Sequence, residues 1–354
     1  MARTAVVLFN IGGPDQPSAV RPFLFNLFSD PAMIRLPGPL RWVFAQVISR
    51  LRARTAEDIY ARIGDKSPIL EETAAQAQAL ADELADSAGE LKVFIAMRYW
   101  HPFASETVAQ VAVWAPDRVV LLPLYPQYST TTTASSAADW DRAAKRSGLA
   151  APVHTVCCYP SQEAFIEAHA DQIRDGLARA RAEAPKAVVR VLFSAHGLPK
   201  RIVDAGDPYA WQVERTAAAI AAAVGDPDLD WRVCYQSRVG PLEWIGPATS
   251  EELVDAGAKD CAVVLAPIAF VSEHSETLVE LDIQYRRLAD QAGVAAYVRV
   301  PALGKHPGFV AALADMTRAA LDAGPGGPVC SAEGGRLCPA VYSACPSRAK
   351  QEAA

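Results

Sequence analysis

The sequence has no excess of positive charge. Its 34 Lys and Arg residues are outnumbered by 40 Asp and Glu, giving a net charge of -6 and a pI near 5.6. This balance argues against nucleic acid as the main partner, because phosphate binding draws on a basic surface. No apolar run is long enough to span a bilayer, and the strand-like Ala5–Asn10 follows the first residues with no leader-like segment. The expectation is therefore a cytoplasmic chain without a signal peptide. Cysteine is sparse and odd in number, seven in 354 residues, which disfavours a disulfide framework and leaves metal binding or burial. Compositional disorder is absent before the last few dozen residues, and 51% hydrophobic content suits a globular protein large enough for two cores.

What is present reads as a duplication. Val7-Leu-Phe-Asn-Ile-Gly-Gly-Pro14 resembles Val191 to Pro199, Val93–Arg98 resembles Val233–Arg238, Val119–Leu124 resembles Val263–Ile268, and Val153 to Pro160 loosely resembles Ala295 to Pro301. Arg98 and Arg238 lie 140 apart, Pro123 and Pro267 144, and Pro160 and Pro301 141, whereas Val7 and Val191 lie 184 apart. The first half thus carries an insertion of ~40 residues after its first strand, within about residues 15–70. Helical patterns at Thr73 to Ala85, Gln162 to Ala184 and Pro208 to Val224 alternate with the strands. The expected fold is α/β: two similar Rossmann-like domains with parallel four-stranded sheets flanked by helices, facing each other across a cleft. Residues 1–158 form the first domain, 159–322 the second, and 323–354 a cysteine-bearing extension.

The insertion is basic and greasy. From Met33 to Arg54 it holds Arg35, Arg41, Arg50, Arg52 and Arg54 with no acid, among Leu36, Leu40, Trp42, Val43, Phe44, Val47, Ile48 and Leu51. Such a segment suits an anionic membrane surface or the lip of a pocket for an apolar anion, and equally an amphipathic helix packed on its own domain.

The stretch Val191-Leu-Phe-Ser-Ala-His-Gly-Leu-Pro199 reads as a buried strand stopped by Gly197 and Pro199. His196 then stands at the carboxyl end of a parallel strand, where open α/β sheets bind ligands, or is a turn histidine making one hydrogen bond. Two strands later, Ser272 is a plausible helix N-cap, and Glu273, Glu276 and Glu280 are spaced to stack along one helical face. A carboxylate row near an imidazole suits a divalent metal or a base with a proton relay; the alternative is a solvated acidic face favoured by the helix dipole. In the tail, Cys330, Cys338 and Cys345 fall within 16 residues, too few apolar neighbours surround them for core burial, and zinc or an iron-sulfur cluster would each want a fourth ligand.

Several segments together resemble the ferrochelatase family. They are Ser194-Ala-His-Gly-Leu-Pro199, Gly206-Asp-Pro-Tyr209, Tyr235-Gln-Ser-Arg-Val-Gly-Pro241 with Trp244, Pro267-Ile-Ala-Phe270, Ser272-Glu-His-Ser-Glu-Thr-Leu278 and Glu280-Leu-Asp282. The first half adds Asn10-Ile-Gly-Gly-Pro14, Arg62-Ile-Gly64 with Ser67-Pro-Ile69, Arg98-Tyr99 with His101-Pro102, and Tyr125-Pro-Gln-Tyr-Ser129. The similarity covers about residues 4–320.

The resemblance implies a metal chelatase, classed as a lyase, that inserts ferrous iron into protoporphyrin IX, the last step of haem synthesis. Protoporphyrin is favoured because an apolar lip suits a less charged ring. The other readings are a chelatase for coproporphyrin or cobalt, and a non-catalytic haem- or metal-binding protein. On the family pattern His196 takes a pyrrole proton or helps bind metal and Glu276 shares that site. Glu273 and Glu280 extend a proton or metal path, and Trp244 supports the pocket. Ile11, Tyr60, Ser67 and Tyr125 line the porphyrin, while Arg98, with Arg54, pairs propionates through the guanidinium fork. Some family members hold a [2Fe-2S] cluster through a C-terminal cysteine extension and one internal cysteine. Thr130 stands where the animal pattern has that internal ligand, so Cys157 or Cys158 is the substitute, with Cys158 preferred because it directly precedes the turn at Tyr159-Pro160. Peripheral contact with the inner membrane surface follows from the lip, and the resemblance leaves room for a homodimer.

Overall fold

Each half of the chain is organised by a strand that almost no water reaches. In β1 (Arg3–Asn10) every residue from Thr4 onward is buried, and in β5 (Val189–His196) the run from Arg190 to Ala195 is buried. Continuous burial of this kind belongs to parallel strands covered by helices on both faces, which is why the sequence shows apolar runs in place of alternation. The structure, a computed structural model, describes residues 2–86, 89–238, 240, 242–325, 327–331 and 335–347. Val239 and Pro241 of the Tyr235–Pro241 motif, and residues 348–354 of the extension, lie outside them.

The chain divides into two compact units. The first comprises Met1–Tyr125, Ser129–Cys157 and Thr317–Val329. After β1 come α1 (Val20–Ser29), α2 (Gly38–Ala61) and α3 (Ile69–Glu83), then β2 (Glu90–Met97), α4 (Ala104–Trp114), β3 (Arg118–Pro123), α5 (Thr133–Ser147) and β4 (Val153–Cys158). β1 lies parallel between β2 and β3, with Val7 opposite Phe94 and Leu121, and β4 flanks β3. Phe9 and Trp140 anchor the core, their ring centroids 6.2 Å apart.

The second unit comprises Pro126–Tyr128, Cys158–Met316 and Cys330–Ala354. It opens with α6 (Glu163–Glu183), whose first turn is capped by Gln162 accepting from the Phe165 amide at 2.7 Å. β5 is followed by α7 (Lys200–Asp204), α8 (Tyr209–Val224), β6 (Asp230–Gln236), α9 (Thr249–Ala258) and β7 (Ala262–Pro267). A π-helix (Glu276–Tyr285), α10 (Arg286–Ala292), β8 (Tyr297–Arg299), α11 (Pro307–Asp322) and the short β9 (Val329–Cys330) complete the order. β5 lies parallel between β6 and β7, with Phe193 opposite Val233 and Ala266, and β8 flanks β7.

All eight strands expected from the repeats form at their places, and the two sheets share one strand order, second-first-third-fourth. Between β1 and β2 the first unit carries α1, α2 and α3, where the second unit has the short α7 and α8 between β5 and β6. One expectation is corrected: the first sheet has five strands, because β9 from the cysteine tail adds to its β4 edge. A two-residue strand in a Gly- and Pro-rich stretch carries no periodicity to read. The units also differ from a single break after residue 158, since Thr317–Val329 returns to the first unit.

Leu265 sits at the middle of β7, fully buried within the second unit's core. Leu265→Ala is expected to lower stability by about 2–5 kcal/mol. Val113→Ala, at a side chain 89% exposed, should change it by less than about 0.5 kcal/mol. Urea unfolding followed by circular dichroism checks both.

Candidate functional site

β5 ends at His196 because the next residue must approach its neighbours closely. A Cβ at Gly197 would stand 2.9 Å from the Gln236 carbonyl oxygen and 3.2 Å from both Trp244 Cε3 and Arg238 Cγ. The chain then pairs with residues 243–245: Lys200 N donates to Glu243 O at 2.9 Å and Ile245 N to Leu198 O at 3.0 Å. Trp244 is thereby fixed against the backbone beside His196. Tyr209, in the first turn of α8, donates its hydroxyl to the His196 carbonyl at 3.0 Å, so the imidazole stands on a doubly supported strand end.

The His196 Nδ1 atom lies 2.9 Å from Glu276 Oε2, with side chains 35% and 31% exposed. Burial disfavours charge on both groups, yet each holds the other's charge: His196 is raised above its usual 6.5 by the Glu276 carboxylate, and Glu276 is lowered to about 2, chiefly by His196. With Glu276 ionised, Nδ1 is the donor, and the neutral ring presents its Nε2 lone pair, which has no hydrogen-bond partner among the described residues.

Ser237, directly after β6, joins two of the carboxylates and was not singled out by the sequence. It adopts a left-handed conformation, φ 60°, which turns its amide to Glu280 Oε1 at 2.8 Å and its hydroxyl to Glu276 Oε2 at 2.9 Å and Glu280 Oε2 at 2.5 Å. One hydroxyl proton cannot serve two carboxylate oxygens. Burial first, and the Glu276 charge next, raise the Glu280 pKa above the ordinary carboxyl value. When Glu280 holds a proton it donates to Ser237, and Ser237 donates to Glu276. Tyr285 closes the chain, donating to Glu280 Oε1 at 2.9 Å. The only sequence signal for Ser237 was its place inside the Tyr235–Pro241 motif.

The helix carrying these acids differs from the expectation. It begins at Glu276, not after Ser272, and it is a ten-residue π-helix, a form usually confined to single turns at functional sites. Glu273 precedes it and does not share its face. Arg299 Nη1 donates to Glu273 Oε1 at 2.5 Å, the Ala302 amide donates to the same oxygen at 2.9 Å, and Arg299 also pairs with Asp282. Despite burial, Arg299 keeps the Glu273 carboxyl below its usual range. His274 was likewise missed: its Nδ1 accepts from the Glu276 amide at 3.0 Å, its ring stacks edge-on to Phe270 at 4.4 Å, and burial lowers its pKa.

In the first unit, Arg98 at the end of β2 is already engaged. Its Nη2 meets Asp30 Oδ2 at 2.9 Å and its Nε meets Ser135 Oγ at 2.7 Å, with Asp139 3.7 Å from Nη1. Tyr99 also donates to Asp30, at 2.8 Å. Tyr125 stands beside this group, its phenol raised by burial. Ile11 and Tyr60 meet Tyr99 and Trp100 in one apolar cluster with α1. Ser67 is buried and packs on Gly13. Arg54 is exposed on α2, which buries only Ala45, Ser49 and Tyr60 and leaves Leu40, Trp42, Val43, Phe44, Val47 and Leu51 in solvent. No described helix is long and apolar enough to cross a membrane.

A second group of side chains in the second unit gathers cysteines. Cys158, Cys330, Cys338 and Cys345 are all buried, none more than 5% exposed. Gln212 Nε2 reaches the sulfurs of both Cys158 and Cys338, at 3.4 and 3.1 Å. A hydrogen bond with Cys338 pulls the Cys345 thiol below its ordinary range against the effect of burial, helped by the Ser347 backbone and Arg336, while nearby Cys330 opposes it. Cys157, Cys234 and Cys261 are also buried, the last two within the sheet core. Among the described residues, no group of three or more His, Cys, Asp or Glu side chains is already arranged to hold a metal ion.

Comparisons with known proteins agree with one another. A family model described as Ferrochelatase matches residues 3–321. The chain is 54% identical over 348 residues to a ferrochelatase of Caulobacter vibrioides, covering 98% of each. It is 46% identical over 345 residues to one of Rickettsia bellii, covering 97% of this chain and 94% of the relative. Among solved structures, SirB from Bacillus subtilis with Fe3+ superposes with a TM-score of 0.54 at 13% identity, covering 90% of this chain and 96% of that one. That likeness concerns the fold.

The coupling between His196 and Glu276 is directly measurable. In Glu276→Gln the imidazole loses the charge that raises its pKa while burial, which lowers it, remains. The His196 titration, followed by 15N NMR, is expected to move to lower pH than in the unmodified protein; an unchanged midpoint would show that the pair does not set it.

Proposed function

The chain belongs to the ferrochelatase family, and from that premise we propose that it inserts Fe(II) into protoporphyrin IX to form protohaem. The observation that carries the proposal is the hydrogen-bonded series His196, Glu276, Ser237, Glu280 at the end of the second unit's parallel strands. Insertion of a divalent metal releases two pyrrole protons from a rigid ring, so the protein must accept protons next to the metal and move them away.

In this reading the free Nε2 of His196 accepts a pyrrole proton. The Glu276 carboxylate stabilises the resulting imidazolium and fixes the ring tautomer, and with His196 it also meets the incoming metal. Ser237 and Glu280 pass protons onward, and Glu280 suits that duty because its raised pKa lets it hold and release one. Glu273 lies on the same path as an ion-paired anion whose Arg299 partner offsets the accumulated negative charge. Trp244 holds the wall beside the imidazole.

Ile11, Tyr60, Ser67 and Tyr125 are the proposed porphyrin contacts of the first unit, and Arg98 and Arg54 the propionate partners. Arg98 would share its fork between Asp30 and the propionate. The exposed apolar face and arginines of α2 support peripheral binding to an anionic membrane, the cytoplasmic side being the expectation for an enzyme whose substrate and product prefer lipid. The four buried thiols would hold a [2Fe-2S] cluster through Cys158, Cys330, Cys338 and Cys345: thiolate ligands need surrounding donors, which Gln212 and the Ser347 backbone supply, and Arg336 adds a nearby positive charge. When bound, such a cluster would supply one-electron chemistry and tie the tail to Cys158 within the same unit.

Anaerobic incubation of the purified protein with free-base protoporphyrin or coproporphyrin and Fe(II), Zn(II) or Co(II) tests the function. Iron insertion into protoporphyrin is expected; no turnover would leave a binding protein, and preference for another ring or metal would name a different chelatase. His196→Ala should lose metallation by a factor of about 100 or more, the size of an acid–base contribution, while keeping its fold and porphyrin affinity. Arg98→Ala should weaken porphyrin binding by fluorescence titration. It should also lower stability by about 3 kcal/mol, because Asp30 is left buried without its cation.

A further inference from the structure

We infer that Gln212 is a positioning residue for the cysteine cluster, holding two of its sulfurs with the two N–H groups of one carboxamide and so setting the cluster's reduction potential. This rests on the cluster assignment above. The orientation of the amide is fixed by its other end. The Tyr128 backbone N–H, which can only donate, meets Gln212 Oε1 at 2.7 Å, so the nitrogen must be the atom that faces Cys158 Sγ and Cys338 Sγ. The residue has no exposure at all, and the bonds to sulfur use both of its N–H groups. A glutamine side chain buried in this way has no solvent to fall back on, and its donors serve only the thiols.

The surroundings keep that carboxamide still. Gln212 lies in the first turn of α8, where its amide donates to Pro208 O at 2.9 Å and its carbonyl accepts from Thr216 Oγ1 at 2.9 Å; the same hydroxyl is 2.8 Å from Pro160 O. The cysteine tail is fastened to this turn from the other side. Ala344 N donates to Gly206 O at 3.1 Å, and the Tyr342 and Trp211 rings lie 5.9 Å apart. The donor is therefore part of a rigid helix start and not of the tail that carries three of the sulfurs.

An N–H donor to a ligand sulfur stabilises negative charge, and the reduced cluster is one unit more negative than the oxidised one. Such a bond therefore raises the reduction potential, and its loss lowers it. Gln212→Glu is the informative change: it keeps an oxygen acceptor for Tyr128 and replaces the donors by a second oxygen. Gln212→Met removes the polar end at similar volume.

The test is redox titration of the anaerobically purified full-length protein, read by visible absorption and by electron paramagnetic resonance of the reduced state, with iron and sulfide per chain measured alongside. A [2Fe-2S] spectrum in the unmodified protein, with a more negative midpoint and shifted g values in Gln212→Glu, is expected. Gln212→Met should shift the same way, and a folded Gln212→Glu chain that cannot retain iron would bear the same meaning. Equal midpoints and equal g values in all three proteins at equal iron content would overturn the role of Gln212 while leaving the cluster. A colourless, iron-free unmodified protein would instead remove the cluster assignment itself.

Discussion

The second unit depends on one arrangement: an imidazole and a carboxylate held 2.9 Å apart at the carboxyl edge of a parallel sheet. Each group alone would resist charge in that setting, and together they keep each other ionisable. Much of the local backbone serves this pair. Gly197 lets the strand end lie against Gln236 and Trp244, Tyr209 holds the His196 carbonyl, and the left-handed Ser237 gathers Glu276 and Glu280 from the facing π-helix. Burial first, and then the repulsion between two carboxylates brought to one hydroxyl, raise the pKa of Glu280. That repulsion makes the series able to carry a proton as well as bind one.

The fold was legible wherever burial imposed a continuous apolar run. β1, β3, β5 and β7 are covered on both faces; β3 and β7 repeat at an offset of 144 residues and β1 and β5 at 184, which exposed the duplication and the extra length after β1. His196 was legible for the same reason, as the first polar, titratable residue after such a run. The π-helix was not. Spacings of three and four residues suit an α-helix, so Glu273, Glu276 and Glu280 read as one row, whereas Arg299, distant in sequence, draws Glu273 aside. Ser237 depends on a backbone conformation that a serine does not announce. The engagement of Arg98 by Asp30 is also a long-range pairing, 68 residues apart, beyond what local pattern can show.

The tail has a different logic. Its composition is too poor in apolar residues to fold by itself, yet its three cysteines are buried. They achieve this by leaning on α8 and on Cys158. Spacing alone pointed to a missing fourth thiol; the carboxamide that faces two of the sulfurs came only from the packing.

The most direct measurement is the single-turnover rate of Fe(II) insertion into protoporphyrin IX as a function of pH. The rate is expected to climb as His196 loses its proton, with an apparent pKa above the usual histidine value of 6.5. A rate that is flat through that range, or that falls as the imidazole becomes neutral, would contradict it.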